Sequence, residues 1–154
     1  AKQLGFQHKF LLLAREINNS MPHYTVELLE EQLKKLKKAV KNAKVGILGV
    51  AYKANVDDTR ESPASEIINL LKTKGADVFV FDPHVKKESN AKDLDELFNK
   101  SDYLILATDH NDFKNMDLEK LRKHKIMIVI DGRNCLDKEK IKSMGILYHG
   151  IGRS

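Results

Sequence analysis

From Ala43 onward, short β-branched runs alternate with stretches of helical pattern, and this alternation narrows the fold more than any other feature of the chain. Val45–Val50 reads as a strand. Pro63–Lys74 reads as a helix, with Ser62 as N-cap, Pro63 at the first helical position, Glu66 in the first turn and Gly75 just past the end. Asp77–Phe81 is a strand stopped by Asp82-Pro83, and Leu94–Lys100 a short helix. Tyr103–Ala107 is a strand, Leu118–Lys123 a helix, and Ile126–Ile130 a strand closed by Asp131-Gly132. Lys138–Ser143 is a helix and Ile146–Tyr148 a last short strand. Such an order predicts an α/β fold: a doubly wound, Rossmann-like parallel sheet of about five strands with helices on both faces. The near-continuous apolar runs at 103–107 and 126–130 suit strands buried on both sides.

Before Ala43 the period is helical. Phe10, Leu13 and Ile17 form one apolar stripe; Val26, Leu29, Leu33, Leu36 and Val40 form a second, spaced 3-4-3-4. Pro22 lies between them, marking a kink or a fresh helix start, with Ser20 as a possible cap. Two heptads fall short of the three to four that argue a coiled coil. The second stripe can lie on a core or pack against a partner subunit, and the pattern leaves both open. The chain divides into a helical segment, 1–43, and a sheet domain, 44–154.

The net charge of +5 is unevenly placed. Residues 1–44 carry 9 Lys+Arg and 4 Asp+Glu, whereas residues 45–154 carry 18 of each. The excess peaks at Lys34-Lys35-Leu36-Lys37-Lys38. Aromatics make up only 6% and no recognition motif accompanies the run, so a solvated helix face is expected and nucleic acid is not an expected partner. No apolar stretch approaches the roughly 18 residues of a membrane span, and Ala1–Phe10 lacks the layout of a signal peptide. A single cysteine, Cys135, excludes a disulfide framework and makes the cytoplasm the expected compartment. The six histidines show no ligand spacing, so no metal is expected.

Ligands of doubly wound sheets bind beyond the carboxyl ends of the strands, where strand order reverses. In a 3-2-1-4-5 order that point lies between the first and fourth strands. The loop after the first strand carries Lys53 and Arg60, and the loop after the fourth carries Arg133. These cations, converging near a helix start at Pro63, suit an anion such as phosphate. The alternative is that Arg60 and Arg133 pair with Asp57, Asp58 or Asp131. A dinucleotide cradle is missing: Gly46 and Gly49 do not complete G-x-G-x-x-G, and Asp82 falls 33 positions past Gly49 rather than about 20. Cys135 has no evident activating partner, and no complete catalytic constellation is present.

The stretch Leu48-Gly49-Val50-Ala51-Tyr52-Lys53-Ala54-Asn55-Val56-Asp57-Asp58-Thr59-Arg60-Glu61-Ser62-Pro63-Ala64 resembles the opening of the C-terminal domain of the UDP-glucose/GDP-mannose dehydrogenase family. Phe81-Asp82-Pro83, Ile130-Asp131-Gly132-Arg133-Asn134 and Tyr148-His149-Gly150-Ile151-Gly152-Arg153 resemble three further signatures, in family order. Ala14-Arg15-Glu16-Ile17-Asn18 with Met21-Pro22 is similar to the end of the family's central helical region. The resemblance covers most of the chain. Tyr52-Lys53 and Ser62-Pro63-Ala64 are most similar to members oxidising UDP-N-acetylmannosamine.

The resemblance implies an NAD-dependent enzyme that oxidises C6 of a nucleotide sugar to a carboxylate in two hydride transfers. It implies that Tyr52, Lys53 and Arg133 contact the UDP-sugar, that Arg60 reaches NAD across a domain cleft, and that residues 1–43 end a helix forming a homodimer. The family's NAD-binding glycine loop, catalytic cysteine motif and catalytic Lys and Asn have no counterpart here, and Cys135 does not match the nucleophile's motif. The expectation is a fragment that holds no catalytic residue and is inactive alone. A UDP-glucose 6-dehydrogenase fragment, a stand-alone nucleotide-binding module and a purely structural oligomerisation domain are the alternatives.

Overall fold

The computed structural model of the chain describes residues 21–51 and 62–151. Five strands, β1 (Lys44–Leu48), β2 (Asp77–Phe81), β3 (Tyr103–Leu106), β4 (Ile128–Asp131) and β5 (Leu147–Gly150), form one wholly parallel sheet. Helix α1 covers residues 21–35. It is followed by α2 (Pro63–Thr73), α3 (Leu94–Lys100), α4 (Asn111–Lys114), α5 (Glu119–Lys123) and α6 (Lys138–Ser143). The Rossmann-like architecture expected from the alternation is present, with element ends moved by one or two residues. Two single turns, α4 and a 3-10 turn at Lys86–Glu88, are additional; neither is long enough to display a period.

The strand order is β2-β1-β3-β4-β5. This corrects the 3-2-1-4-5 order used in the sequence argument and moves the reversal to between β1 and β3. The reason lies in the crossovers. From β1 the chain runs through α2 on one face to β2, then returns through α3 on the other face, past β1, to β3. Right-handed crossovers then carry β4 and β5 outward on the α3 side. Apolar α5 and α6 side chains, Leu121 and Ile141, pack with Leu97 and Phe98 of α3.

One consequence is an uneven covering. The α2 face has no crossover helix of its own above β3 and β4, and α1 joins it. Val26, Leu29 and Leu33 share one core cluster with Ile67 and Leu71 of α2 and with Ile47, Ile105, Ile128 and Ile130 of the sheet. The in-register pairs Ile47↔Ile105 and Ile105↔Ile130 send these side chains to one side, while Leu48, Leu106 and Val129 face the other. Of the two readings open for the second stripe, packing on the chain's own core describes Val26, Leu29, Leu33 and Val40.

Local sequence explains the element ends. Ser62 Oγ accepts from the Ala64 amide, as its N-cap position requires, and Asp93 and Asp137 cap α3 and α6 in the same way. Helix α2 stops at Gly75, whose φ of +91° allows the Ala76 amide to reach Leu71 O and its own amide to reach Lys72 O. On the outer edge of β2, the Asn90 side chain stands in for a sixth strand. Its Oδ1 accepts from Val80 N at 2.6 Å and its Nδ2 donates to Val78 O at 3.3 Å. That blocks an otherwise open edge.

Leu29 is fully buried. If α1 is part of this core, Leu29→Ala lowers the unfolding free energy of the chain by about 2–5 kcal/mol. Urea denaturation checks this; an unchanged midpoint in the monomer would show that α1 contributes little to the domain's stability.

Candidate functional site

The reversal between β1 and β3 places the carboxyl ends of these strands, and of their neighbours β2 and β4, on one rim. The ladder continues past the strands: Gly49 N donates to Phe81 O, Ala107 N to Leu48 O, and Gly132 N to Leu106 O, each at 2.9 Å. Gly49 has a φ of +96°, and a Cβ there would meet Thr108 Cβ at 2.6 Å, so both the turn and the contact exclude a side chain. Thr108 Oγ1 in turn donates to Ala51 O at 2.9 Å.

Asp82, the first residue after β2, organises this rim from below. Its Oδ2 accepts from the Val50 amide at 2.8 Å, the Ala51 amide at 3.0 Å and His110 Nε2 at 2.9 Å. Its Oδ1 accepts from the His84 amide at 2.8 Å. Asp82 and His110 are both 0% exposed. Burial pushes the carboxyl pKa up, but the hydrogen bonds from His110 and from the Val50, His84 and Ala51 amides outweigh it and hold Asp82 below its ordinary 3.8. The His110 ring also lies 4.5 Å from that of His84 and 5.5 Å from that of Phe113.

A second buried carboxylate ends β4. Asp131 Oδ1 accepts from the Arg133 amide at 3.0 Å; its Oδ2 accepts from the Leu136 amide at 2.9 Å and from Tyr148 Oη at 2.7 Å. A Cβ at Gly132 would meet Leu106 O at 2.6 Å, so only glycine lets the turn fold back over β3. Asn134, in the left-handed region at φ 54°, donates from Nδ2 to Ile151 O at 2.7 Å. Between these anchors, Arg133 Nε donates to Ala107 O at 3.1 Å. The arginine is thereby carried from the end of β4 across to the end of β3, beside the reversal. Its Nε binds a carbonyl, and the Asp131 oxygens accept from two amides and a phenol. Tyr52, Lys53 and Arg60 lie outside the described residues.

The residues present do not fit a resident dinucleotide. In a dinucleotide-binding domain the acid ending the second strand accepts from a ribose hydroxyl. Here the two Asp82 oxygens already accept four donors, three on Oδ2 and one on Oδ1, so the acid is engaged by the protein's own groups. The glycine fingerprint is also absent. Burial, reinforced by the negative charges of Asp131 and Asp109, pushes the Cys135 thiol up to about 11, which disfavours its thiolate. Among the described residues no three His, Cys, Asp or Glu side chains gather as a metal site, and no helix is long and apolar enough to cross a membrane.

Sequence reasoning selected Arg133 because its charge follows a strand. It treated Asp82 as a strand stop and counted His110 among scattered histidines. Their pairing spans 28 positions between two different loops, and no local pattern announces it.

The fold and rim define a doubly wound domain of the nucleotide-binding type, with a cationic side chain at the reversal and without a dinucleotide cradle. The chain belongs to the UDP-glucose/GDP-mannose dehydrogenase family: residues 46–138 match the family's UDP binding domain. It is 39% identical over 149 residues to the UDP-N-acetyl-D-mannosamine dehydrogenase of Methanococcus maripaludis, covering 94% of this chain and 34% of that protein. It is 31% identical over 163 residues to the UDP-glucose 6-dehydrogenase TuaD of Bacillus subtilis, covering 99% and 34%. The solved UDP-D-ManNAc dehydrogenase of Pyrococcus horikoshii superposes with a TM-score of 0.83 at 34% identity, over 92% of this chain and 33% of that one. The chain thus spans about a third of the length of the curated relatives it matches.

Two outcomes follow from the buried groups. Because the folded-state pKa of Asp82 is depressed, its stabilising contribution is complete above 3.8 and is lost as pH falls through the lower folded value. Asp82→Asn is expected to cost about 1–3 kcal/mol at pH 7 and to lose less than the parent chain on further acidification below 3.8, as read by denaturant midpoints. For Cys135, alkylation by iodoacetamide at mildly alkaline pH should run at least roughly tenfold slower than for a free cysteine. The scarcity of thiolate outweighs its higher intrinsic nucleophilicity.

Proposed function

We propose that this chain is the nucleotide-sugar-binding part of an NAD-dependent UDP-sugar 6-dehydrogenase acting on UDP-N-acetylmannosamine. The observation that carries this reading is Arg133, tethered through Nε to Ala107 O at the β1–β3 reversal, inside a match to a UDP binding domain. The names of the relatives support the sugar.

In this reading Arg133 and Lys53 neutralise the diphosphate, and Tyr52 lies against the nucleotide sugar. Arg can grip two phosphate oxygens with its planar fork, whereas Lys acts as a compact charge. The role is one of position: the rim holds the diphosphate so that C6 of the sugar meets groups contributed by regions of the parent protein beyond this chain. Restricting a substrate in this way contributes several kcal/mol to catalysis without a covalent step. NAD, when bound by those regions, supplies the hydride acceptor, and Arg60 reaches it across the cleft. This chain alone performs no hydride transfer. The parent is a cytoplasmic homodimer joined through the helical segment 1–43. The apolar side chains of α1 that enter the core cannot also form that contact, so the dimer uses the outward face of α1, where Tyr24 is 42% exposed, together with residues further toward the N-terminus.

Titrating the chain with UDP while following backbone amides tests the reading. Shifts should cluster at Ala107, Arg133 and the residues following Ala51. Arg133→Ala and Lys53→Ala should each weaken binding about tenfold or more, as expected for loss of a charge-assisted hydrogen bond. A folded chain that shows no response at millimolar UDP would overturn it.

A further inference from the structure

We propose that His110 is a positioning residue for this nucleotide site, acting through Asp82 to hold the rim at the end of β1. This rests on the proposed UDP-binding function. It adds a residue that neither charge nor motif singled out.

Four groups converge on the Asp82 carboxylate, and they come from three separate loops. Val50 and Ala51 follow β1, His84 follows β2, and His110 follows β3. Three of the four donors are backbone amides, placed by the strands themselves. Only His110 donates through a side chain, at 2.9 Å and with no solvent contact. The Ala51 peptide is held from both ends: its N–H by Asp82 Oδ2 and its C=O by Thr108 Oγ1. Thr108 and His110 lie two residues apart on the same loop, which also presents Ala107 O to Arg133 Nε. The loop after β3 therefore fixes two sides of the reversal at once. Through Thr108 and the His110–Asp82 bond it sets the end of β1; through Ala107 it sets the arginine. A buried carboxylate that loses a donor must find another or draw in water, and the amides sharing its oxygen are the groups free to shift. The effect of losing His110 should fall on nucleotide affinity, with the strands intact.

The test compares two variants of the chain. His110→Phe keeps a ring against His84 and Phe113 but removes the donor. His110→Gln places an amide N–H near the position of Nε2. UDP affinity and amide exchange at Val50 and Ala51 are measured for both, with thermal unfolding as a control for folding. The expected result is a folded Phe variant that binds UDP about tenfold more weakly and exchanges these two amides about tenfold faster, with the Gln variant restoring both to within about threefold, the size of one lost or regained hydrogen bond to a charged group. A folded Phe variant that binds and exchanges like the parent overturns the proposal, as does a Gln variant as impaired as the Phe variant. If the Phe variant does not fold, the Gln variant decides: parent-like binding and exchange support the role, and weak binding overturns it. If the parent chain itself ignores UDP, the proposed function fails. The exchange rates at Val50 and Ala51 then still decide whether His110 orders the rim.

Discussion

A carboxylate with no access to water is stable only when it is hydrogen-bonded, and Asp82 meets that condition by drawing three loops onto itself. Four donors reach its two oxygens, and the bonds are strong enough to overcome the burial that would otherwise raise its pKa. The geometry at the sheet's carboxyl end follows from this. Val50 and Ala51 turn where they do because their amides must point at one oxygen atom. The left-handed Gly49 makes that turn possible without striking Thr108. Asp131 repeats the arrangement at the end of β4, with Tyr148, Leu136 and Arg133 as its donors. The two acids end the strands flanking the β1–β3 pair, so the reversal is bracketed by two buried, hydrogen-bonded carboxylates.

Strand periods and capping residues made the sheet legible because they are local. Ser62, Pro63 and Gly75 bound α2 by rules that need only a few neighbouring residues, and the structure keeps those bounds. The strand order was not legible. Whether β3 falls beside β1 or beyond β2 depends on which face α3 takes, and its apolar positions, Leu97 and Phe98, would suit either. Arg133 lies beside the reversal under both orders because its side chain reaches across one strand to Ala107. Had it been shorter, the wrong order would have produced the wrong rim.

The buried pair was illegible for a different reason. A single Asp after a strand and a single His in a loop are ordinary residues, and only their distance in space gives them meaning. The sequence does contain the acid that a dinucleotide domain would offer to ribose, at the end of the second strand. Its spacing, 33 positions past Gly49, already departed from that of a dinucleotide domain. The structure turns the same side chain inward and fills it. A local motif can therefore persist while its partner changes from a ligand to the protein's own amides.

The covering of the sheet bears on how the family's architecture divides. The helical segment before Ala43 reads naturally as an arm distinct from the domain, and the matched family region begins only at residue 46. Yet Val26, Leu29 and Leu33 enter the same core as Ile105 and Ile130. Topology favours this: with α3, α5 and α6 on one face, the strands beyond β1 present an apolar surface opposite, and among the described residues α1 covers it. Each of these aliphatic side chains contributes about 1.5–3 kcal/mol by leaving water. A boundary drawn at Ala43 would expose both the stripe and the strands beneath it. Helix α1 thus roofs β3 and β4, the strands whose ends lead to His110 and Arg133.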